Sequence, residues 1–505
     1  MVAVLLTRGL LWDNYNGEPD TARYAIGLRL WMEQSPRAPG IINPELSSGY
    51  YWLAAAVVRL GDVSFAQFQL LLGGISVVSA LVTFPALYAL GTMVVSPPAA
   101  LAATLALLAA PGWWWTGFQG HPQGLSLALQ LVSLLAFARA WTAGRPARMP
   151  AWLALSWLTL TASLLIKTDA VLLLPAYFGL LVFLRPQSPL ASWRRLAGAA
   201  LITTGLMVMA YLGFTVLQHM IVGPAGELHA EASAHIRRWL TLPQGLVLVG
   251  QLTPMLFGPG PITLLVVTFG AARFLAGERG ATRWRWAALL GTWMLPGYVF
   301  WLLIISNNAR HVIPFPVPLF WLGFEWFGRA RAGWLAAVAV AAVLANAIVP
   351  PNSGLSLYPS MNVPASARLM RERQAELRAA AHRLLDGWAA TACYVGRNTQ
   401  DYVSQYVLEA ADARGLHAEV LPATQFVVQL RHADHRPFRR IEVIGLRKGQ
   451  DAGNPLARPE CGIVESVEYD GRGGRRWFFG AEAAAASPLL RGLVSAFGVA
   501  PVSAR

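Results

Sequence analysis

Charge is scarce in this 505-residue chain: charged residues make up 13% of it, whereas hydrophobic residues make up 55%. A soluble domain carries about 25% charged residues, and the mean hydropathy here is +0.45. These values exclude a single soluble globule and a disordered chain.

Cysteine is also scarce, since only Cys393 and Cys461 occur, and this excludes a disulfide-rich secreted scaffold. The two cysteines form either one disulfide or two buried free thiols. Neither a C-x-x-C nor an H-E-x-x-H metal motif is present. The sequence therefore predicts no metal ligands and no cofactor, and it leaves a divalent metal open.

The charges that are present are unevenly distributed. Residues 1–350 hold 11 acidic residues, and residues 351–505 hold 15 in less than half the length. We therefore predict a polytopic α-helical membrane domain over 1–350 and an extracytoplasmic α/β domain over 351–505. The formal net charge of +14 does not indicate nucleic-acid binding, because the arginines of the first part lie in short loops between apolar runs.

Apolar runs of about 17–25 residues can span a bilayer. The residues 1–12 are apolar but too short to cross alone, and we interpret them as the outer end of a first helix, which gives about eleven spans. The other ten predicted spans are 71–93, 97–112, 123–141, 151–166, 169–184, 197–221, 261–277, 286–305, 312–328 and 333–350.

The arginines predict the orientation of these spans. The loops on one side of the membrane carry twelve arginines and a single acid, Glu278. The short loops on the other side carry almost no positive charge. By the positive-inside rule, loops 13–70 and 222–260 and the C-terminal domain face outward from the plasma (inner) membrane. We interpret the aromatic groups 113–115 and 50–52 as interfacial anchors.

The pattern after residue 364 is typical of a small α/β domain. It predicts an amphipathic helix over 365–388, a strand over 390–396, a helix over 398–415 and a strand over 416–422. Three further strands are predicted from alternating runs, and the segment DGRGGRR (470–476) is predicted to be a hairpin turn.

Acidic residues are concentrated in the first outer loop, where five of the eleven in the membrane domain lie between positions 13 and 45. Asp20 follows Pro19 and precedes a helical pattern. Asp20 or Thr21 is either only the N-cap of that helix, or Asp20 is a general base that acts on an acceptor hydroxyl.

Three further positions are candidates for binding a phosphate. Lys167 lies between two short spans, and it either pairs with Asp169 or binds a phosphate. Arg310 and His311 lie at the outer end of two spans, and they either clamp a lipid phosphate or only extend to the interface. His121 is the one ionisable residue of its loop and is either a neutral polar residue or part of the site.

The order of these elements resembles a known family. The chain has a D-x-x-x-Y element (Asp20 and Tyr24), a short outer loop after the third span, a lysine at the membrane edge, an R-H-x-x-P element at 310–314 and a soluble tail. Over residues 1–350 this resembles the polyprenyl-phosphate-sugar-dependent glycosyltransferases of the GT-C fold. The likeness is greatest to the bacterial relatives of protein O-mannosyltransferases and to the aminoarabinose transferase of lipid A.

The resemblance implies roles for some of these residues. Asp20 matches the catalytic carboxylate of the first loop, and Lys167 and Arg310 fall near the donor phosphate. This chain departs from the family at Thr21, where a second acid is usual, and in its second outer loop, which offers His121 and Gln123 instead of an acid. Asp13 or Glu18 would then supply a second carboxylate.

We therefore predict an integral membrane glycosyltransferase whose donor is a sugar on a polyprenyl phosphate and whose acceptor is a glycan, lipid or protein. Its partners are this donor, the acceptor and the membrane lipids, with no nucleic acid. The alternatives are a secondary transporter and a non-catalytic scaffold that displays the C-terminal domain. The concentration of acids in an outer loop, away from the membrane midplane, favours the enzyme over the transporter.

Overall fold

A computed structural model gives the structure of the chain. The residues that it describes are 19–33, 36, 47–117, 119–142, 146–187, 192–223, 262–300, 313–348, scattered positions of a helix between 364 and 382, 392–396, 401–414, 417–420, 427–431, 440–444, 464–469 and 475–480.

The described residues of the first 350 are mostly helical, and among them four short 3₁₀ helices (Phe65–Gln67, Pro146–Arg148, Thr168–Leu173 and Arg185–Gln187) connect or extend the α-helices. The described α-helices of this part are α1 (Pro19–Glu33), α2 (Ser48–Gly61), α3 (Phe68–Gly91), α4 (Pro97–Ala109), α5 (Pro111–Thr116), α6 (Pro122–Thr142), α7 (Met149–Ile166), α8 (Leu174–Leu184), α9 (Trp193–Val222), α10 (Ile262–Gly277), α11 (Ala281–Phe300), α12 (Val317–Ala330) and α13 (Ala332–Ile348).

Proline and glycine mark several helix ends. Proline occupies one of the first two positions of α4, α7, α8 and α12, where a backbone N–H has no intrahelical partner and its loss is harmless. Helix α9 ends at Gly223, whose φ of 83° requires glycine and whose N–H donates to the carbonyl of His219 at 2.7 Å. These local signals explain why the helices begin and end near the limits of the apolar runs.

Each of the ten predicted spans overlaps a described helix. Four are long and apolar enough to cross a membrane by length and composition, and these are Phe65–Gly91, Pro122–Thr142, Met149–Ile166 and Arg194–Val222. Large apolar side chains such as Leu201 (74% exposed) and Leu265 (61% exposed) project from the helices, as expected of a lipid-facing surface. The chain is therefore a multi-pass membrane protein. The count of eleven stays a prediction, because residues 1–12 lie outside the described part.

The interpretation of the aromatic groups as interfacial anchors is wrong for four of the six residues. Trp113, Trp114, Tyr50 and Tyr51 are each at most 2% exposed. They pack inside the helical domain because the segments that carry them are covered by other helices, which the sequence pattern alone does not show. Trp52, at 57% exposed, remains compatible with an interfacial position.

An ion cluster fixes one end of α12. Glu325 is buried and accepts hydrogen bonds from the N–H and the hydroxyl of Ser96, at 2.8 and 2.7 Å, just before the start of α4. Arg329 donates to Glu325 at 3.0 Å and to Glu278 at 2.6 Å. A carboxylate at a helix N-terminus is stabilised by the helix dipole, so this cluster joins α12 to α4 and to the loop that follows α10.

The C-terminal part contains α14 (Asp401–Ala413) and six strands, β1 (Ala392–Gly396), β2 (His417–Val420), β3 (Val427–Arg431), β4 (Arg440–Ile444), β5 (Val464–Tyr469) and β6 (Arg475–Gly480). They form one sheet in the order β2-β3-β1-β4-β6-β5, in which β1 and β4 are parallel and the other neighbours are antiparallel. The described elements follow the predicted strand-helix-strand order, with β3 between β1 and β2 in the sheet, and the C-terminal α/β domain stays a prediction. β5 and β6 pair with each other, but residues 470–474 lie outside the described part, so the predicted hairpin turn stays a prediction. Cys461 lies outside the described residues, so the disulfide stays a prediction.

The contacts divide the chain into two compact units. The first comprises Met1–Asn16, Glu45–Trp52 and Gly73–Met370, and the second comprises Gly17–Pro44, Leu53–Leu72 and Arg371–Arg505. Within the second unit, α14 packs against α1. The domain boundary at residue 350 stays a prediction, and the structure adds that part of the first loop belongs to the same unit as the C-terminal domain.

Candidate functional site

Lys167 is a buried cation at the end of a membrane helix. It follows the last residue of α7 and precedes the 3₁₀ helix Thr168–Leu173, and it is only 6% exposed. Within the described part of the chain, no hydrogen bond or ion pair reaches its ammonium group, and the predicted ion pair with Asp169 is not formed. The carbonyl end of α7 offsets part of the charge, but a buried ammonium also requires an anion.

The N-terminus of α2 lies directly against the last turn of α7. A Cβ atom at Gly49 would lie 2.8 Å from the Cβ of Leu165 and 3.0 Å from its carbonyl carbon, so only glycine permits this approach. The neighbouring hydroxyls of Ser47 and Ser48 are fully buried and have no hydrogen-bond partner in the described part of the chain. Two hydroxyl donors and the positive end of a helix therefore lie beside the segment that ends in Lys167.

The second outer loop is held against α3. Ser76 of α3 donates a hydrogen bond to the carbonyl of Gln119, which also accepts from the N–H of His121 at 2.8 Å. Gly124 lies so close to the carbonyl of Thr116 that a Cβ there would be 2.8 Å away. His121 is 1% exposed. The loop is therefore packed into the helical domain, and the role of His121 stays a prediction.

A narrow cleft opens between α6 and the 3₁₀ helix that follows Lys167. The volume in it that is open to water-sized molecules is about 30 Å³, which is room for one or two water molecules. Its lining residues are Thr116, Gln123, Ser126, Leu127, Gln130, Asp169, Leu173, Ile313, Pro314 and Phe315.

Two glutamines on one face of α6 supply most of the polar wall of this cleft. Gln123 and Gln130 are seven residues apart and are 9% and 7% exposed. The Nε2 of Gln130 donates to the Ser126 hydroxyl at 2.9 Å, and that hydroxyl pairs with the hydroxyl of Ser163 at 3.1 Å. The Oε1 atoms of both glutamines are buried and have no hydrogen-bond partner among the described residues.

The opposite wall is apolar and fixed by α11. The indole N–H of Trp293 donates to the carbonyl of Pro314 at 2.9 Å, and the ring of Phe315 packs against Gly297, where a Cβ would collide with it. The described chain begins again at Ile313, shortly after Arg310 and His311 in the sequence. The cleft thus combines a hydrogen-bonding face with an aromatic face.

The predicted carboxylates of the first loop are only partly described. Asp20 and Thr21 lie inside α1, which begins at Pro19, so the interpretation of either residue as the N-cap is wrong. Tyr24 is 3% exposed. The side chain of Asp20, together with Asp13, Glu18, Arg310 and His311, lies outside the described part, and the roles of these five residues stay predictions. Among the described residues, no group of three or more His, Cys, Asp and Glu side chains is placed to hold a metal ion.

Some residues of the site were not singled out by sequence reasoning. Ser47 and Ser48 form a Ser-Ser-Gly step before an aromatic helix start, which is an N-cap signature that the sequence analysis did not use. Gln130 and Ser126 lie in a predicted span. Gln130 follows Gln123 by seven residues and Ser126 by four, and these spacings place the three side chains on one helical face. That periodicity was the signal that could have found them.

Comparison with known proteins gives structural matches only. No family model matches the chain, and no curated protein matches it. Among solved structures, it is similar to ArnT from Cupriavidus metallidurans bound to undecaprenyl phosphate (TM-score 0.49, 15% identity, 81% of this chain and 73% of that chain). It is also similar to the same ArnT in the apo state (TM-score 0.49, 15% identity, 88% and 91%).

A third match is the archaeal oligosaccharyltransferase AglB from Archaeoglobus fulgidus in complex with an inhibitory peptide and a dolichol-phosphate (TM-score 0.46, 13% identity, 80% of this chain and 59% of that chain). ArnT is the aminoarabinose transferase type that the sequence resemblance named. The TM-scores lie below 0.5, so the likeness by itself assigns neither an activity nor a substrate to this chain.

Proposed function

We propose that the chain is a membrane glycosyltransferase that moves a sugar from a polyprenyl-phosphate donor to an acceptor hydroxyl on the extracytoplasmic face of the plasma membrane. The observation that carries this proposal is Lys167, whose side chain is 6% exposed and whose ammonium has no counter-ion in the described part of the chain. A phosphate is a natural partner for such a group.

In this proposal, the ammonium of Lys167 and the hydroxyls of Ser47 and Ser48 bind the donor phosphate. Arg310 and His311 add positive charge, since only two residues separate Arg310 from the cleft residue Ile313, a chain distance of at most about 11 Å between their Cα atoms. The site would resemble other anion sites in which N–H and O–H donors surround a phosphate at a helix N-terminus.

The reaction is substitution at the anomeric carbon of the sugar. Asp20 accepts the proton of the acceptor hydroxyl, the oxygen forms a bond to the anomeric carbon, and the bond from that carbon to the phosphate oxygen breaks. The leaving polyprenyl phosphate gains negative charge, which the cations stabilise in the transition state. Asp13 or Glu18 would supply a second carboxylate, in place of the acid that this chain lacks at Thr21.

The direct test uses the full-length protein in lipid nanodiscs with undecaprenyl-phosphate sugars, and it measures release of undecaprenyl phosphate. We expect Asp20→Asn to lower kcat by about 10²–10⁴-fold while the protein still inserts. We expect Lys167→Ala to act mainly on the donor KM, raising it by about 10–100-fold, the value of a lost hydrogen bond between charged groups.

Lys448→Ala is the matched control, because Lys448 is the only other lysine of the chain, and it should leave both constants unchanged. The proposal is wrong if undecaprenyl phosphate fails to bind the wild-type protein, or if Asp20→Asn keeps full activity.

A further inference from the structure

We infer that a pair of buried serines, Ser126 of α6 and Ser163 of α7, positions Lys167 for the donor phosphate by fixing the last turn of α7. The phosphate role of Lys167 rests on the proposed function, whereas the serine contacts stand independently of it. Neither serine forms a hydrogen bond with the Lys167 ammonium, so both are positioning residues.

Two serine pairs join α6 to α7 in one register. The near pair is Ser126 with Ser163, the far pair is Ser133 with Ser156, and 3.1 Å separates the hydroxyl oxygens in each pair. The spacing between the pairs is seven residues on both helices, which is about two helical turns, so the serines of each helix lie on one face. All four side chains are at most 2% exposed. Because hydroxyl groups that bond across two membrane helices hold them in the register that pairs them, α6 fixes the position of α7 along its axis.

The near pair is satisfied whichever way its protons point. If the Ser126 hydroxyl donates to the Ser163 hydroxyl, Ser163 can donate to the carbonyl of Ser126 at 3.1 Å. If the Ser163 hydroxyl donates instead, Ser126 can donate to the carbonyl of Ser163 at 3.4 Å. The Ser126 hydroxyl also accepts from the Nε2 of Gln130 at 2.9 Å. A buried polar network in which every hydroxyl has a partner makes the local packing rigid.

The backbone connects the near pair directly to Lys167. The carbonyl of Ser163 accepts the N–H of Lys167 at 2.8 Å, which is the last hydrogen bond of α7. Lys167 then adopts an extended conformation (φ −159°, ψ 118°), and its carbonyl accepts the N–H of Ala170 at 3.1 Å. A shift of the turn that Ser163 anchors would therefore move the Lys167 backbone, and its ammonium with it.

The same turn is held from its other side by α2. Gly49 packs against Leu165, where an added Cβ would lie 2.8 Å from the Leu165 Cβ. Leu165 follows Ser163 by two residues, and such residues project about 200° apart on a helix. The last turn of α7 is therefore held between α6 and α2, which explains how a lysine at a helix end keeps one position.

The far pair provides a matched control. Ser156 is as buried as Ser163, at 0% exposed, and its partner Ser133 also bonds the Tyr177 hydroxyl at 2.6 Å. Ser156 precedes Lys167 by 11 residues, about 16 Å along α7, whereas Ser163 precedes it by four. Ser156→Ala thus removes the same chemical group from the same helix pair without altering the last turn.

The experiment uses the full-length protein in nanodiscs and the variants Ser126→Ala, Ser163→Ala and Ser156→Ala. The first measurement is the rate at which an amine-reactive reagent modifies Lys167, followed by mass spectrometry of peptides. Lys448 is the only other lysine of the chain, and it is the internal reference. The second measurement is the Kd of undecaprenyl phosphate, and the third is the thermal stability of each variant.

We expect Lys167 to be modified about 2–10-fold faster than in the wild type in both variants of the near pair, because a loosened turn exposes the ammonium, and the Kd should rise by a similar factor. The double variant Ser126→Ala/Ser163→Ala should exceed the stronger single variant by no more than about twofold, since both changes remove the same contact. Ser156→Ala should be modified and should bind undecaprenyl phosphate like the wild type, although its thermal stability should fall as much as that of Ser163→Ala.

Two outcomes would overturn the positioning role: a rate of Lys167 modification that is unchanged in Ser163→Ala, or one that rises equally in Ser156→Ala, because a general loss of helix packing affects both pairs. The proposed function is tested separately in the wild type, where undecaprenyl phosphate should slow the modification of Lys167 and not that of Lys448. If the lipid gives no protection, Lys167 does not bind its phosphate, and the rates measured without lipid still decide whether the serines position Lys167.

Discussion

The helix that carries Asp20 is held by a residue almost four hundred positions away. Arg29 of α1 donates to both carboxylate oxygens of Asp412 on α14, at 3.0 and 3.4 Å, and its Nε donates to Glu33 at 2.9 Å. The guanidinium also lies 4.9 Å from the centre of the Phe65 ring. Because the Arg29 side chain is only 10% exposed, this interaction should fix α1 on the C-terminal domain.

The magnitude follows from the geometry and the exposure. A hydrogen bond between charged groups contributes about 1.5–3 kcal/mol. The Asp412 side chain is 40% exposed, so solvent screening places the value at the lower end, and Glu33 still compensates part of the Arg29 charge when Asp412 is lost. We therefore expect Asp412→Asn to destabilise the α1–α14 contact by about 1–2 kcal/mol, which corresponds to an opening equilibrium constant of α1 about 5–30-fold larger.

Hydrogen exchange measured by mass spectrometry on the intact protein in nanodiscs reports this opening directly. Peptides covering 19–33 should exchange 5–30-fold faster in Asp412→Asn and in Arg29→Met, and the double variant should be little worse than either single variant. Peptides from α6 should not change. Arg414→Gln, which removes a charge from a residue that contacts His382, is the control. Unchanged exchange over 19–33 in Asp412→Asn, or additive effects in the double variant, would refute a coupling between these helices.

Two further predictions concern the first unit and the topology. Gly49→Ala should weaken binding of undecaprenyl phosphate by about 5–100-fold, because its Cβ would lie 2.8 Å from Leu165 and would push α2 away from the Lys167 segment. The control is Gly198→Ala, where an added Cβ meets nothing within 4 Å, and this variant should bind undecaprenyl phosphate like the wild type. Equal binding by the two variants would contradict the phosphate site. The topology is tested with a reporter enzyme that is active only outside the cytoplasm and is fused after Arg505. We expect this fusion to be active. An inactive fusion would indicate a cytoplasmic C-terminus and would remove the basis for an extracytoplasmic enzyme.

Local features of this fold were predictable from the sequence, because they depend on short stretches of chain. An apolar run indicates a helix without reference to distant segments, and each of the ten predicted spans overlaps a described helix. Lys167 stood out for a similar reason, as one of two lysines in a chain that otherwise uses arginine. Its burial without a counter-ion in the described part is a property of the fold that no sequence pattern contains.

Features that depend on packing between distant segments were not predictable. An apolar helix offers several faces to its neighbours. The sequence around Trp113 and Tyr50 therefore looks the same whether their rings face lipid or are buried in the protein. Only the fold shows that the side chains of Trp113 and Tyr50 are buried. The cleft likewise needs Gln130 from one helix, Asp169 from a 3₁₀ turn and Phe315 from a late loop. The pairing of Arg29 with Asp412 spans 383 positions, and neither residue carries a local signal for it.

The Arg29–Asp412 ion pair also constrains the topology independently of the positive-inside rule. Two side chains cannot pair across a hydrocarbon core about 30 Å thick, so α1 and α14 lie on the same side of the membrane, and the chain between Glu33 and Asp401 must cross an even number of times. The 14 residues of α2 extend only about 21 Å and are too short to cross. The ten spans predicted between residues 71 and 350 satisfy this parity. An odd number of crossings in that stretch would place Arg29 and Asp412 on opposite sides of the membrane. The arginine asymmetry then needs to decide only which side of the membrane both helices occupy.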